Sequence, residues 1–361
     1  MNKKVMGLFM GMAAGDALGL SREGLSPERA RKLFGATIRP NLVVIPFIKR
    51  FNVCSDDTEH LWVTASALVE TQDKDIAAFE KNLSKRMKCW VLSFPVGAGM
   101  ATLKASVKLL IGYPPEKSGV FSAGNGAVMR APAIGAYHAN DPQKMALVLK
   151  VSSLMTHSDP KAYEGALVIA KAASLLMQHT LTTAPTDQFF DEVYPLLEGQ
   201  ELKQYLKTAK EYLHEKKSLD TYLAYLNCEK KGISGYVNHT VPAVVYAWLS
   251  YFGDYPKTLE ALINAGGDTD TTAAIAGALA GITAGKEKVP PAWIGSIYNS
   301  PMSINKLEQL AKAFAQRDSN LIPELNFLLL FARNILLFFV ILFHGFRRLL
   351  PPYLLRCTRS L

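Results

Sequence analysis

The sequence predicts an all-α fold: one compact multi-helix domain over residues 1–320, followed by a hydrophobic, Arg-flanked helical tail over residues 321–361. Three observations predict it. Apolar residues recur at the 3.6-residue period through most of the chain. Strand-like patterning is nearly confined to Leu42–Ile48, and no strand–helix alternation of the Rossmann kind appears. Between residues 325 and 346, 16 of 22 residues are Leu, Phe, Ile or Val, a run long enough to cross a bilayer. With 361 residues, 49% hydrophobic and 20% charged, disordered and fibrous classes are excluded.

The N-terminal segment has two readings. Lys3-Lys4 before the apolar run Val5–Gly15 resembles a short signal peptide. Asp16 interrupts that run and no clear cleavage site follows, which suits a buried first helix instead. Beyond it the periodicity predicts helices over Asp57–Glu70, Ile76–Trp90, Ala101–Leu110, Pro142–Met155, Ala162–His179, Leu202–Tyr212, Val241–Tyr251, Thr269–Ala284 and Ile304–Phe314.

Charge and cysteine content narrow the function classes. The net charge is +9, but residues 325–361 carry five Arg and no acid, leaving 9 − 5 = +4 on the first 324 residues. No basic stripe with interleaved aromatics appears, so nucleic acid is not an expected partner. Cys54, Cys89, Cys228 and Cys357 have no paired spacing, which disfavours a disulfide framework or zinc site and suits a reducing, cytoplasmic setting.

Five turns at helix edges concentrate glycine, acid and hydroxyl: Gly15–Gly19 (GDALG), Ser55–Glu59 (SDDTE), Ser122–Arg130 (SAGNGAVMR), Thr156–Pro160 (THSDP) and Ala265–Thr272 (AGGDTDTT). Asp56 and Glu59 have capping-box spacing, so part of SDDTE is explained as a helix start. Two adjacent acids, Asp56 and Asp57, are explained less well, because they repel. In AGGDTDTT, Gly266-Gly267 permits a tight turn, and Asp268 and Asp270 open a helix built almost entirely of small residues, which suits the centre of a bundle. Desolvating carboxylates there is costly unless a cation compensates them. Four Asp with Ser and Thr hydroxyls form a hard-oxygen set suited to Mg²⁺ or Mn²⁺, with a purely structural acidic pair as the alternative. SAGNG can cradle phosphate through backbone amides. Arg130 and His157 read more simply as structural residues.

The tail has three possible dispositions. Asn326, Arg333 and His344 fall within about 20° of one line on a helix, giving a narrow polar seam flanked by Asn334 and Arg348. Arg347, Arg348, Pro351, Pro352, Arg356 and Arg359 follow as a basic stop suited to anionic headgroups. With residues 1–320 in a cytoplasmic setting, a straight span would put these Arg on the opposite side, against the positive-inside rule. The expectation is therefore an in-plane membrane-attached helix with its seam kept wet. A seam docked on protein and a true span are the alternatives.

In order and spacing, GDALG, SDDTE, GNGAVMR, THSDP and GGDTDTT resemble the ADP-ribosylglycohydrolase family over about residues 5–315. That family includes the dinitrogenase reductase-activating glycohydrolase, the ADP-ribosyl-acceptor hydrolases and some jellyfish lens crystallins. The resemblance implies an all-α domain whose first core helix is Val5–Gly19, and a two-magnesium cleft. It assigns Ser55, Asp56 and Asp57 to one ligand set, and Asp268, Asp270 and Thr271 to the other. Glu23 matches the acidic residue that contacts the metal site or the reacting ribose, and Asp57 joins it as a catalytic candidate. Ser122, Ala123, Gly124 and Asn125 match the diphosphate loop, and His157 a histidine lining the ADP-ribose cleft. Asp16 matches a position with a mainly structural role. The implied activity is magnesium-dependent hydrolysis of the bond between ADP-ribose and a protein or small-molecule acceptor. A non-catalytic ADP-ribose-binding or crystallin-like protein is the alternative. Residues 26–47 diverge from the better-known members, and the tail from about residue 321 has no counterpart in them.

Overall fold

The computed structural model describes residues 2–45, 49–72 and 74–349. The first half comprises α1 (Asn2–Gly19), α2 (Pro27–Phe34), a hairpin of β1 (Val43–Ile45) and β2 (Lys49–Phe51), α3 (Asp56–Glu70), α4 (Ile76–Leu92), α5 (Met100–Leu110), α6 (Pro115–Ser118), α7 (Ala131–Tyr137), α8 (Pro142–Leu154) and α9 (Pro160–Gln178). The second comprises α10 (Thr186–Val193), α11 (Gln200–His214), α12 (Leu219–Tyr225), α13 (Val237–Ser250), α14 (Tyr255–Ala265), α15 (Thr269–Ala284), α16 (Pro291–Gly295), α17 (Ile304–Gln316) and α18 (Phe327–Leu349). The all-helical expectation holds, and all nine predicted helices form. The strand run differs. It supplies β1 of a two-strand antiparallel hairpin, with Val43 opposite Phe51 and Ile45 opposite Lys49, so a short partner strand absent from the pattern completes it.

The molecule is organised around α1 and α15. Both are apolar or small on every side, and α1 is buried from Gly7 to Gly19. Their backbones touch. A Cβ on Gly7 would stand 2.0 Å from the Gly281 carbonyl oxygen, and one on Gly11 2.2 Å from that of Gly277. Gly15 and Gly19 meet Ala273 and Thr269 in the same way. These four glycines at i, i+4 spacing form one face of α1, and only glycine fits such an approach. The antiparallel pairing brings the end of α1 to the start of α15, which juxtaposes GDALG with AGGDTDTT. Around the pair, α3, α7, α9, α13 and α17 close a core that includes Phe9, Leu61, Trp62, Ile134, Val168, Trp248, Leu279 and Phe314. Several surrounding helices start on aspartate caps followed by proline: Asp141 caps α8, Asp159 caps α9 and Asp254 caps α14. The acid of THSDP is thus the α9 cap.

The tail helix α18 does not leave its seam in water. The Arg333 guanidinium donates to Glu59 Oε1 at 2.7 Å, to the Cys54 carbonyl at 2.7 Å and to Asn299 Oδ1. Asn334 Nδ2 donates to the Ser93 carbonyl at 2.9 Å, and His344 Nε2 meets the Ser21 carbonyl at 2.8 Å. Arg347 donates to the Asn41 carbonyl and Arg348 to the Glu23 carbonyl. Asn326 alone of the expected seam stays outside, where its Oδ1 accepts from the Leu329 amide as a helix cap. The seam therefore docks on protein, its donors meeting backbone carbonyls, Asn299 and the Glu59 carboxylate of the domain. Pro351, Pro352, Arg356 and Arg359 lie outside the described residues.

Candidate active site

The site is built where α1 ends and α3 and α15 begin. Asp16 is fully buried near the end of α1 and uses both carboxylate oxygens to cap α3. Its Oδ1 accepts from the Ser55 amide at 2.8 Å, and Oδ2 accepts from the Thr58 amide at 3.0 Å and the Thr58 hydroxyl. This fixes the first turn of α3. Ser55, the N-cap residue, accepts from the Asp57 amide through its hydroxyl at 3.3 Å. Asp57 Oδ2 accepts from the Ser55 hydroxyl at 3.3 Å and from the Thr271 hydroxyl of α15 at 3.1 Å. The two acidic turns are thus joined through one carboxylate.

The remaining oxygens are left open. Asp57 Oδ1 and Asp270 Oδ1 are buried and make no hydrogen bond. Burial pushes the carboxyls of Asp56, Asp57 and Asp270 well above the usual range, and their mutual negative charge raises them further. Nitrogen and sulfur ligands are missing from this set. Among the described residues no group of three or more His, Cys, Asp or Glu is gathered tightly enough to hold an ion unaided. The donor set here is instead aspartate with Ser55 and Thr271 hydroxyls. Orphaned buried carboxylate oxygens in an all-oxygen setting fit a hard divalent cation.

Glu23 enters from the loop after α1. Gly24 donates its amide to the Gly267 carbonyl at 2.7 Å, and Gly267 donates to the Leu25 carbonyl at 2.8 Å. This pairing lays the Glu23 loop along the GGD turn, where Gly267 has φ +83° and so requires glycine. Burial pushes the Glu23 carboxyl up to about 7; the nearby Asp268 charge adds to the rise and Arg348 opposes it.

The SAGNG loop closes another side. Its Asn125 side chain donates to Asp268 Oδ2 at 2.7 Å and to the Thr240 hydroxyl at 3.0 Å, tying the loop to the start of α15. The Gly124 amide donates to the Ser122 hydroxyl and the Asn125 amide to the Gly235 carbonyl, so these two are engaged within the protein. Ser122 and Ala123 are half-buried at the loop's outer edge. His157 lies beneath: a Cβ on Gly126 would come within 2.7 Å of its Cε1, and one on Gly124 within 3.2 Å of its Nε2. Burial, reinforced by Arg130, lowers the His157 pKa to about 3, so the ring is neutral and supports the loop. Arg130 is itself buried and donates to the Ser152 hydroxyl and carbonyl and the Thr156 hydroxyl. It is a structural cation.

Glu59 departs from the capping-box expectation. The N-cap is Ser55 and not Asp56, which puts Glu59 one position beyond the capping-box site, and its carboxylate does not return to the Asp56 amide. It accepts instead from Trp90 Nε1 at 2.8 Å and from Arg333 at 2.7 Å. Sequence reasoning missed Asn125 as a side-chain link to Asp268, the Glu59–Arg333 pair and the Arg348 bond to the Glu23 loop. A lone Arg within an otherwise apolar helix was the signal for the second.

The family model for ADP-ribosylglycohydrolases matches residues 1–322. The chain belongs to the ADP-ribosylglycohydrolase family. That match ends before α18 begins. An uncharacterized protein of Archaeoglobus fulgidus is 30% identical over 314 residues, covering 86% of this chain and 95% of its own length. The ADP-ribosyl-[dinitrogen reductase] glycohydrolase of Rhodospirillum rubrum is 23% identical over 81% of this chain and 90% of its own. A solved structure described as an ADP-ribosylglycohydrolase-related protein complex superposes with a TM-score of 0.63 at 23% identity, covering 88% of this chain and 98% of that one. The all-helical fold of the family is thus the fold of this chain.

Proposed function

We propose that the chain is a divalent-metal-dependent hydrolase that cleaves the glycosidic bond between ADP-ribose and a protein or small-molecule acceptor, with two Mg²⁺ per chain, for which Mn²⁺ can substitute. The observation that carries the proposal is the pair of buried, unpartnered oxygens on Asp57 and Asp270, joined through Thr271 within the motif set that defines the family match. Ser55, Asp56 and Asp57 would hold one ion and Asp268, Asp270 and Thr271 the other. Bound there, the ions supply positive charge that orients ribose hydroxyls and makes water a stronger nucleophile at neutral pH.

The protein's own groups do the rest. Glu23, with its carboxyl near neutrality, is suited to take a proton from the attacking water or to face the positive charge developing at the anomeric carbon. Ser122 and Ala123 supply the outer edge of the phosphate loop, while Asn125 fixes that loop against Asp268. Holding the diphosphate at a set distance from the acidic turns positions the scissile bond. Asp16 contributes by holding α3 in register, not by touching substrate.

The test is a panel of substrates bearing ADP-ribose on arginine, on serine and on small acceptors, assayed with Mg²⁺ and with excess chelator. Release of ADP-ribose from at least one substrate, abolished by chelator, is expected. Tight ADP-ribose binding with no turnover of any substrate would favour the non-catalytic alternative and overturn the proposal.

A further inference from the structure

The apolar face of α18 is exposed. Eleven of its Leu and Phe side chains face solvent, and only 17% of its most apolar 18-residue stretch, of mean hydropathy 2.3, is buried. A core helix of such composition is buried on most sides, as α1 is. Five of these eleven form one stripe at helical spacing: Leu328 at 74%, Leu336 at 66%, then Phe339, Phe343 at 71% and Phe346. Phe94, itself half exposed, places its ring 6.4 Å from that of Phe338 and widens the stripe onto the domain. An apolar patch of this extent on a folded domain marks an interaction surface.

We infer that α18 is an in-plane lipid-binding face: its stripe of Leu and Phe inserts into an anionic bilayer surface while its polar seam holds the catalytic domain against that surface. Three features select a bilayer as the occupant. The stripe from Leu328 to Phe346 offers no hydrogen-bonding side chain, whereas protein interfaces carry about one hydrogen bond per 100–200 Å². Arg333 is neutralised by Glu59, but Arg347 and Arg348, at the end of α18, bond to carbonyls and keep their net charge. The sequence beyond adds Arg356 and Arg359 and no acid, a basic end that complements anionic headgroups and offers no counter-charge to the same end of a second copy. The helix length, about 34 Å at 1.5 Å per residue, presents the stripe along a flat surface.

The docked seam excludes a span. A transmembrane α18 would have to abandon the contacts of Arg333, Asn334, His344 and Arg348 and take those groups into hydrocarbon. In the plane of the interface every one of them keeps its partner. The same helix then links lipid to the site: His344 and Arg348 grip the carbonyls of Ser21 and Glu23, so the Glu23 loop lies directly beneath its C-terminal turns. The enzyme would act with that edge of its cleft against the membrane.

Co-sedimentation of the full chain with phosphatidylcholine vesicles, with and without one quarter phosphatidylglycerol, tests this independently of any hydrolytic activity. Binding to both is expected, several-fold stronger to the anionic vesicles. Phe343→Glu and Leu336→Glu should each weaken binding at least about tenfold, with circular dichroism melts matching the parent, because both side chains point away from the domain. Failure of the parent to bind either vesicle, equal binding by both variants, or a lipid-free dimer that Phe343→Glu dissolves would overturn the inference. Protection of a C-terminal tag from protease by sealed vesicles would show a span and overturn it too.

Discussion

Glu59 and Asp57 lie two residues apart in the first turn of α3, both buried, both acidic, and their surroundings are opposite. Glu59 has two donors supplied by the chain, one of them a cation: Arg333 from the tail and the Trp90 indole. Asp57 has hydroxyls on one oxygen and nothing on the other, and Asp270 likewise leaves its buried Oδ1 without a partner. A carboxylate that serves structure is neutralised from within the protein. On the proposed function, one that serves a ligand is left with an oxygen open, at a cost in stability that a bound cation would offset. The difference separates two kinds of buried acid that composition alone cannot distinguish.

The sharpest way to break that comparison is to remove an acid of the open kind. Asp270→Ala should abolish hydrolysis, on the order of 10³-fold or more, while the metal-free protein melts at the same temperature or higher, because a desolvated charge has gone. A fall in metal-free stability with activity retained would place Asp270 among the structural acids. The complementary change is Arg333→Ala, which strands Glu59. Breaking a buried pair from one side costs about 3–5 kcal/mol, so chemical denaturation should show a loss of that size, with divalent-ion binding by the folded protein little changed. Full stability in Arg333→Ala would mean that α18 rests on the domain without anchoring to it.

Glu23 is the intermediate case, since Arg348 bonds its backbone carbonyl while burial and the Asp268 charge raise its carboxyl and Arg348 lowers it. Glu23→Gln should lower kcat on the order of 10²-fold with ADP-ribose affinity nearly unchanged. Equal losses in both would make it a binding residue only. The smallest effect is on pH. The folded carboxyls of Glu23, Asp56, Asp57 and Asp270 titrate above their unfolded values, so their contribution to stability is present at low pH and is lost as pH rises. For Glu23 the window runs from the ordinary value of 4.5 to about 7. The melting temperature of metal-free protein should therefore decline by a few degrees across that range, and saturating Mg²⁺ should flatten the decline. A rise over the same range would contradict the open-carboxylate picture.

Much of this was legible in the chain. The small-residue face of residues 273–281 forecast a central helix, and the acids flanking it forecast the site, because glycine and aspartate placement leaves few packings open. What escaped was long-range pairing. Nothing local to Glu59 distinguishes a capping-box acid from a partner of Arg333, 274 residues away. The tail's polar seam was visible as a helical line, but which surface would satisfy it depends on where Ser21, Ser93 and Asn299 come together, and only the fold decides that.

The central claim is that the oxygens left open on Asp57 and Asp270 hold divalent ions. Calorimetric titration of metal-free protein with Mn²⁺ tests it most directly, comparing the parent with Asp57→Ala/Asp270→Ala and with Arg333→Ala. Two equivalents bound by the parent and by Arg333→Ala, and none at comparable affinity by the double variant, is the predicted result. No binding by the parent, or undiminished binding by the double variant, would contradict it.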